Sequence, residues 1–194
     1  MAKAAQTQLY LTLEPGGAGD LAALLRDARP ACVRLRIENA SDTDVARTCR
    51  ELCHAQDVPL LIAGPDEAAI VVARAIGADG VHLEGAPKAA PWARRELGET
   101  VIVGIDAGDA DGTARHEAMV AAETGADYVS LSPDWTSEDA APEEARWWAA
   151  MIETPMVIEN AGTAARARVL RGVADFVVAE AGEAVAVAKA LGKG

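Results

Sequence analysis

Six carboxylates, Glu38, Glu84, Asp106, Asp134, Glu159 and Glu180, each follow a short apolar or β-branched run by no more than a few residues. Arg34 and Arg36 alternate along one such run, and His82 sits inside another. Gathered at one mouth, the acids have three uses open to them. They can turn outward into water or pair with Arg34 and Arg36. They can bind a small organic cation, since residues at the mouth of a fold tend to carry function. Or Glu159 and Asp106, with a neighbour such as Glu84, can hold a divalent metal, because hard cations take oxygen ligands. An anionic ligand meets opposition, since like charges 4 Å apart repel by roughly 4 kcal/mol at an effective dielectric near 20. A phosphate is therefore disfavoured unless Mg2+ or the arginines neutralise the rim. His82 alternates with Val81 and Leu83 and so points inward, as a satisfied core histidine or as a proton-transfer group. In the second case Glu84, two residues on, is placed to orient it.

These groups meet only if their strands lie side by side with their C-terminal ends together. The pattern predicts strands at Gln8–Leu13, Cys32–Ile37, Pro59–Ala63, Gly80–Leu83, Thr100–Ile105, Tyr128–Leu131, Pro155–Glu159 and Phe176–Ala179. Segments with helical spacing lie between and after them: Asp20–Ala28, Thr43–Gln56, Asp66–Ile76, Pro87–Leu97, Ala110–Glu123, Glu138–Ile152, Ala164–Arg171 and Glu183–Leu191. Near-continuous apolar runs such as Leu60-Leu61-Ile62 suit a parallel sheet buried on both faces. Ser41 or Asp42 is expected to cap the second helix, and Pro65 and Pro87 suit first-turn positions. Gly77-Ala78-Asp79-Gly80, Gly125-Ala126-Asp127-Tyr128 and Gly172-Val173-Ala174-Asp175-Phe176 repeat one turn from helix to strand, with the glycine as left-handed cap. Strict alternation of eight units predicts an α/β fold, a single TIM (β/α)8 barrel domain over residues 1–194, with its site at the strands' C-terminal mouth. A Rossmann-like open sheet is the rival. Its fingerprint GxGxxG is absent from Leu13-Glu14-Pro15-Gly16-Gly17-Ala18-Gly19, which reads as a plain loop.

The 194 residues carry a net charge of −12 and no basic stripe, which argues against nucleic acid and anionic membrane as partners. No apolar run reaches the roughly 18 residues that span a bilayer, and the N-terminal stretch lacks a secretory h-region, so a cytoplasmic protein is expected. Cys32, Cys49 and Cys53 are an odd number and read as buried free thiols. Cys49 and Cys53 with His54 would offer too few ligands for a closed zinc site. Trp147 and Trp148 cannot both face the sheet, since neighbours on a helix diverge by about 100°. One is expected to be exposed or covered by a partner, and a homodimer through that helix is a possible assembly.

The strand and turn sequences resemble thiamin phosphate synthase and its sister group, the thiazole tautomerases. Val33-Arg34-Leu35-Arg36 looks like the family's second strand, and Val58-Pro59-Leu60-Leu61-Ile62 like its third. Gly77-Ala78-Asp79-Gly80-Val81-His82-Leu83 is close to its A-D-G-V-H-L run, Ile102-Val103-Gly104-Ile105 matches the fifth strand, and Ala126-Asp127-Tyr128 through Pro133 matches A-D-Y-x-x-x-G-P. The resemblance implies joining of an aminopyrimidine pyrophosphate to a thiazole phosphate, with Mg2+ and cationic donors taking up charge on the departing pyrophosphate. Several family positions differ here. The Asn-Asp after the third strand falls on Ala63-Gly64, with Asp66 close by. The second acidic site falls near Ala86-Pro87, with Glu84 as substitute. The second-strand Gln and Lys correspond to Arg34 and Glu38, while Arg36 keeps its identity. Thr136 and Ser137 are retained after the sixth strand. The phosphate-binding Gly-Gly falls at Asn160-Ala161, behind Glu159, and a phosphate-binding Ser corresponds to Glu180. The tautomerase His falls at about Gly108 and its preceding Ser on Asp106.

The resemblance thus implies Arg36, His82 and Glu84 as catalytic candidates, and Arg34, Arg36, Asp106, Thr136, Ser137, Glu159, Asn160 and Glu180 as ligand-binding ones. Mg2+ on Asp66 and Glu84 is implied if synthase activity is retained. The departures point to a divergent barrel that has lost the standard reaction and binds a small ligand, such as a thiamin precursor without phosphate. A synthase with relocated ligands and a non-catalytic interaction scaffold are the alternatives.

Overall fold

The computed structural model describes residues 6–84, 88–109, 114–135 and 140–192. Eight parallel strands close into a barrel in sequence order. They are β1 (Gln8–Leu13), β2 (Cys32–Arg36), β3 (Leu60–Gly64), β4 (Gly80–Leu83), β5 (Ile102–Asp109), β6 (Tyr128–Ser132), β7 (Met156–Ile158) and β8 (Phe176–Glu180). The helices are α1 (Leu21–Ala28), α2 (Thr43–His54), α3 (Asp66–Ile76), α4 (Ala90–Leu97), α5 (Ala114–Glu123), α6 (Ala140–Met151), α7 (Ala164–Leu170) and α8 (Ala184–Ala190). The strand most underestimated from sequence is β5, which runs on to Asp109 through a register shift between Asp106 and Asp109.

Strand alternation divides the core in two. Leu9, Leu11, Val33, Leu35, Val81, Leu83, Val103 and Ile105 face the helices and pack with their apolar sides. The opposite parity fills the barrel, where Tyr10, Cys32, Leu61, Tyr128, Val157 and Val178 form a separate apolar layer at the N-terminal end. Above that layer the same parity carries Thr12, Arg34, His82 and Ser130, all buried. The barrel interior therefore grades from apolar at its foot to polar at its mouth.

The repeated Gly-Ala-Asp turn has a defined task. Asp79 accepts the N–H of Leu60 at 2.8 Å, Asp127 that of Val103 at 2.7 Å, and Asp175 that of Met156 at 3.0 Å. Each aspartate thus clasps an N–H at the start of the strand before its own, giving that buried donor a partner. Asp127 also meets Arg94 at 2.9 Å. Asp127→Ala orphans the Val103 N–H and should destabilise the barrel by about 1–3 kcal/mol in urea denaturation. At the seam between β1 and β8, Thr7 donates to the Ala174 carbonyl at 2.7 Å and accepts the Gly172 N–H at 2.8 Å.

Local details depart from the expected ones. Residues Pro15–Asp20 form a 3-10 turn, not a plain loop. Neither Ser41 nor Asp42 caps α2 with its side chain. Instead Asn39 caps a short 3-10 turn, Ala40–Asp42, by accepting the Ser41 N–H, and Asp42 reaches back to the amides of Glu38 and Asn39. Pro65 stands at the N-cap of α3, one place before the first turn, and Pro87 lies outside the described residues. The cysteines are free and buried. Burial pushes the thiol of Cys49 up to about 11 and that of Cys53 to about 12, so neither is a ready thiolate. Trp148 is buried and donates to Thr154 O at 2.6 Å. Trp147 is half-buried, with the Arg115 guanidinium stacked over its ring at 4.5 Å. Among the described residues, no helix is long and apolar enough to cross a membrane.

Candidate functional site

The polar interior is organised around Arg34. Its guanidinium is almost fully buried and meets Glu159 with two parallel bonds, Nη1 to Oε1 at 2.7 Å and Nη2 to Oε2 at 2.9 Å. Nε reaches the Thr12 hydroxyl at 3.3 Å, and Nη1 also lies 3.1 Å from His82 Nε2. Burial disfavours the charge on Arg34, but the carboxylate of Glu159 outweighs it and holds the guanidinium more firmly protonated than usual.

Arginine only donates, so His82 Nε2 is the acceptor and the ring proton sits on Nδ1. Nδ1 then donates to the Tyr128 hydroxyl at 2.9 Å, which shares a 2.6 Å hydrogen bond with the Tyr10 hydroxyl. The His82 and Tyr128 rings stack with centroids 5.7 Å apart, although β4 and β6 are separated by a whole strand. Gly104 of β5 makes this possible. It is the register partner of both His82 and Tyr128, and a Cβ there would overlap the Tyr128 ring.

Burial, then Arg34 and Arg36, drive the His82 pKa well below its ordinary value of 6.5. As pH falls through about 6.5, the unfolded chain therefore takes up a proton that the folded chain refuses. This contribution to stability is complete above that pH and is lost on acidification. Between pH 7 and 5, the wild type should lose more stability than His82→Gln, measured by urea denaturation at each pH. Equal slopes would show that the ring is not held neutral.

Both His82 nitrogens are thus spent, and Glu84 does not orient the ring. β4 ends at Leu83, so the alternation that would place Glu84 beside His82 stops there. Glu84 instead meets Arg36 at 3.1 Å, and Arg36 also lies 3.7 Å from Glu14. Asp66, at the first position of α3, accepts the backbone N–H of Glu84 at 3.0 Å. The two proposed metal ligands are neighbours with protein partners already. Among the described residues no group of three His, Cys, Asp or Glu converges to hold a metal ion.

Asp106 accepts the Gly108 N–H at 2.9 Å and lies 3.3 Å from the Ser130 hydroxyl. Burial raises its pKa and the charge of Glu159 adds to this, while the Gly108 N–H opposes it. Glu38 and Asp134 are exposed. Thr136 and Ser137 lie outside the described residues.

A cleft of about 310 Å³ opens at the mouth beside this network. Thr12, Arg34, Arg36 and Glu159 form its floor and one wall, with Asn160 and Glu180 at the rim, so it unites most of the sequence-predicted ligand-binding residues. It also brings in Thr163, Arg166 and Glu183, which sequence reasoning missed. Thr163 caps α7 by accepting the Arg166 N–H at 3.2 Å. Arg166 donates to the Asn160 carbonyl at 2.9 Å and stacks on Trp135 at 4.6 Å. Arg34 and Arg36 are therefore not the only cations at the mouth. Arg36 and Arg166 bring positive charge to the cleft and Glu180 and Glu183 negative charge, beside the paired Arg34 and Glu159.

Residues 20–179 match the family model described as thiamine monophosphate synthase. The chain belongs to the thiamine monophosphate synthase family. Among curated members of that family, the thiamine-phosphate synthase of Rhodospirillum centenum is 37% identical over 88% of this chain and 86% of its own length. That of Erythrobacter litoralis is 30% identical over 78% and 75%. At the level of fold alone, a structure of tryptophan synthase from M. tuberculosis superposes with a TM-score of 0.73 over 98% of this chain and 95% of its own, at 13% identity. N-acetylneuraminic acid synthetase from Leptospira borgpetersenii gives 0.69 over 98% and 83%, at 11% identity. The His82 strand and the Asp-bearing turns thus lie in the part of the chain shared with the family.

Proposed function

We propose that this member of the thiamine monophosphate synthase family binds a small thiamin precursor at its mouth without the Mg2+-dependent coupling of the standard synthase. The observation that carries this reading is how the mouth carboxylates are paired and dispersed. Glu159 is held by Arg34, Glu84 by Arg36, Asp66 by the Glu84 amide, and Asp106 by Gly108 and Ser130. A hard divalent cation needs several oxygens together, and among the described residues no three His, Cys, Asp or Glu side chains converge to supply them. The cleft still offers Asn160, Thr163 and Arg166 on one side and Glu180 and Glu183 on the other. That arrangement suits a small ligand that turns an amino group or a basic ring nitrogen to the acids, as an unphosphorylated aminopyrimidine does.

A working synthase with relocated ligands is the second reading, and the 37% identity to the Rhodospirillum centenum enzyme favours it. Thermal melting with thiazole phosphate, aminopyrimidine pyrophosphate, thiamin phosphate and their unphosphorylated forms, each with and without Mg2+, separates the two. A ligand at 100 times its Kd stabilises by about 2.7 kcal/mol. Stabilisation by the unphosphorylated forms, with no Mg2+-dependent pyrophosphate release, is the expected result. Pyrophosphate release would establish the synthase, and no shift with any ligand would leave an interaction scaffold.

A further inference from the structure

The foot of the barrel holds a second cavity of about 150 Å³ that shares no lining residue with the mouth cleft. Tyr10, Cys32, Leu61, Tyr128, Val157 and Phe176 form its walls, and Ala31 and Pro59, just before β2 and β3, stand at its rim. Small barrels normally fill this space with side chains, because interiors pack as densely as organic crystals. Here the row that could fill it is drawn upward. Tyr128 lies over Gly104 with its hydroxyl committed to His82 and Tyr10. The remaining inward residues at this level, Cys32, Leu61 and Val157, are of modest size.

We propose that this chamber is a binding site for a small uncharged molecule built on one six-membered ring. An apolar cavity of about 150 Å³ takes benzene, which sets the size. Charge is excluded by the walls, where burial pushes the Cys32 thiol and both tyrosine hydroxyls up and so disfavours any ionised group. The tyrosine hydroxyls bond to each other, and Tyr128 bonds onward to His82. A ring is favoured because Tyr10, Tyr128, Phe176 and the Cys32 sulfur all line the chamber and offer aromatic and sulfur contacts.

Toluene is a suitable probe, with benzoate as its charged counterpart, added to the full chain and followed by methyl NMR of Leu61, Ile102 and Val157. Toluene should move these resonances saturably and raise the Tm, and benzoate should do neither. Val157→Phe fills the chamber and should weaken toluene binding at least tenfold. If that variant fails to fold, Ala31→Leu narrows the rim from outside the strands and should have the same effect. The proposal is overturned if toluene leaves the resonances unmoved to its solubility limit, if benzoate binds as well, or if the occluded variant responds like the wild type.

Discussion

Glu159→Ala should destabilise the protein by about 3–5 kcal/mol, because it leaves a buried guanidinium without its carboxylate. For a chain of this size that lowers the Tm by roughly 6–20 °C. The magnitude follows from burial, since the Arg34 and Glu159 side chains are only 5% and 12% exposed. An exposed pair such as Arg26–Asp27, 68% and 49% exposed, contributes little by comparison. The double variant Arg34→Met with Glu159→Leu buries no charge and should recover at least half of the loss. Urea denaturation of the three proteins decides the matter. A single variant as stable as the wild type would mean that water or another carboxylate reaches Arg34.

Gly104→Ala should be comparably damaging although it adds one methyl group. The new Cβ enters the space of the Tyr128 ring, which is walled in by Tyr10 and His82. Overpacking of this kind costs about 1–3 kcal/mol. Displacing the ring also strands the His82 Nδ1–H, for about 1–3 kcal/mol more. The expected sum is about 2–6 kcal/mol, read by urea denaturation, together with a changed tyrosine near-UV dichroism. Tyr128→Phe separates the terms, because it keeps the ring and loses only the hydroxyl. It should show the second cost without the first.

Strand alternation and the Gly-Ala-Asp repeats made the barrel legible, since both are periodic along the chain. The same alternation put His82 inside. What it could not supply was distance around the barrel. Arg34 reaches Glu159 from β2 to the end of β7, and Tyr128 reaches His82 over Gly104, and such pairings depend on strand register rather than sequence spacing. Glu84 does not orient His82 because two-residue spacing holds only within a strand, and β4 stops at Leu83. Arg166 was passed over as one arginine of a helix. Thr163 three residues before it was the available signal, since a capping threonine sets where the first turn of α7 points.

The clasping aspartates also bear on how the chain acquires its shape during synthesis. Asp79, Asp127 and Asp175 each reach a partner only 19, 24 and 19 residues away. Loops this short close quickly and at small entropic cost, so adjacent strand pairs can form while later parts are still being made. Thr7 is different, for its partners lie 165 and 167 residues away. Its bonds cannot form until the turn before β8 has left the ribosome. Until then β1 presents an unpaired edge, so the period between completing β2 and completing β8 is when the nascent barrel most needs protection from pairing with another chain.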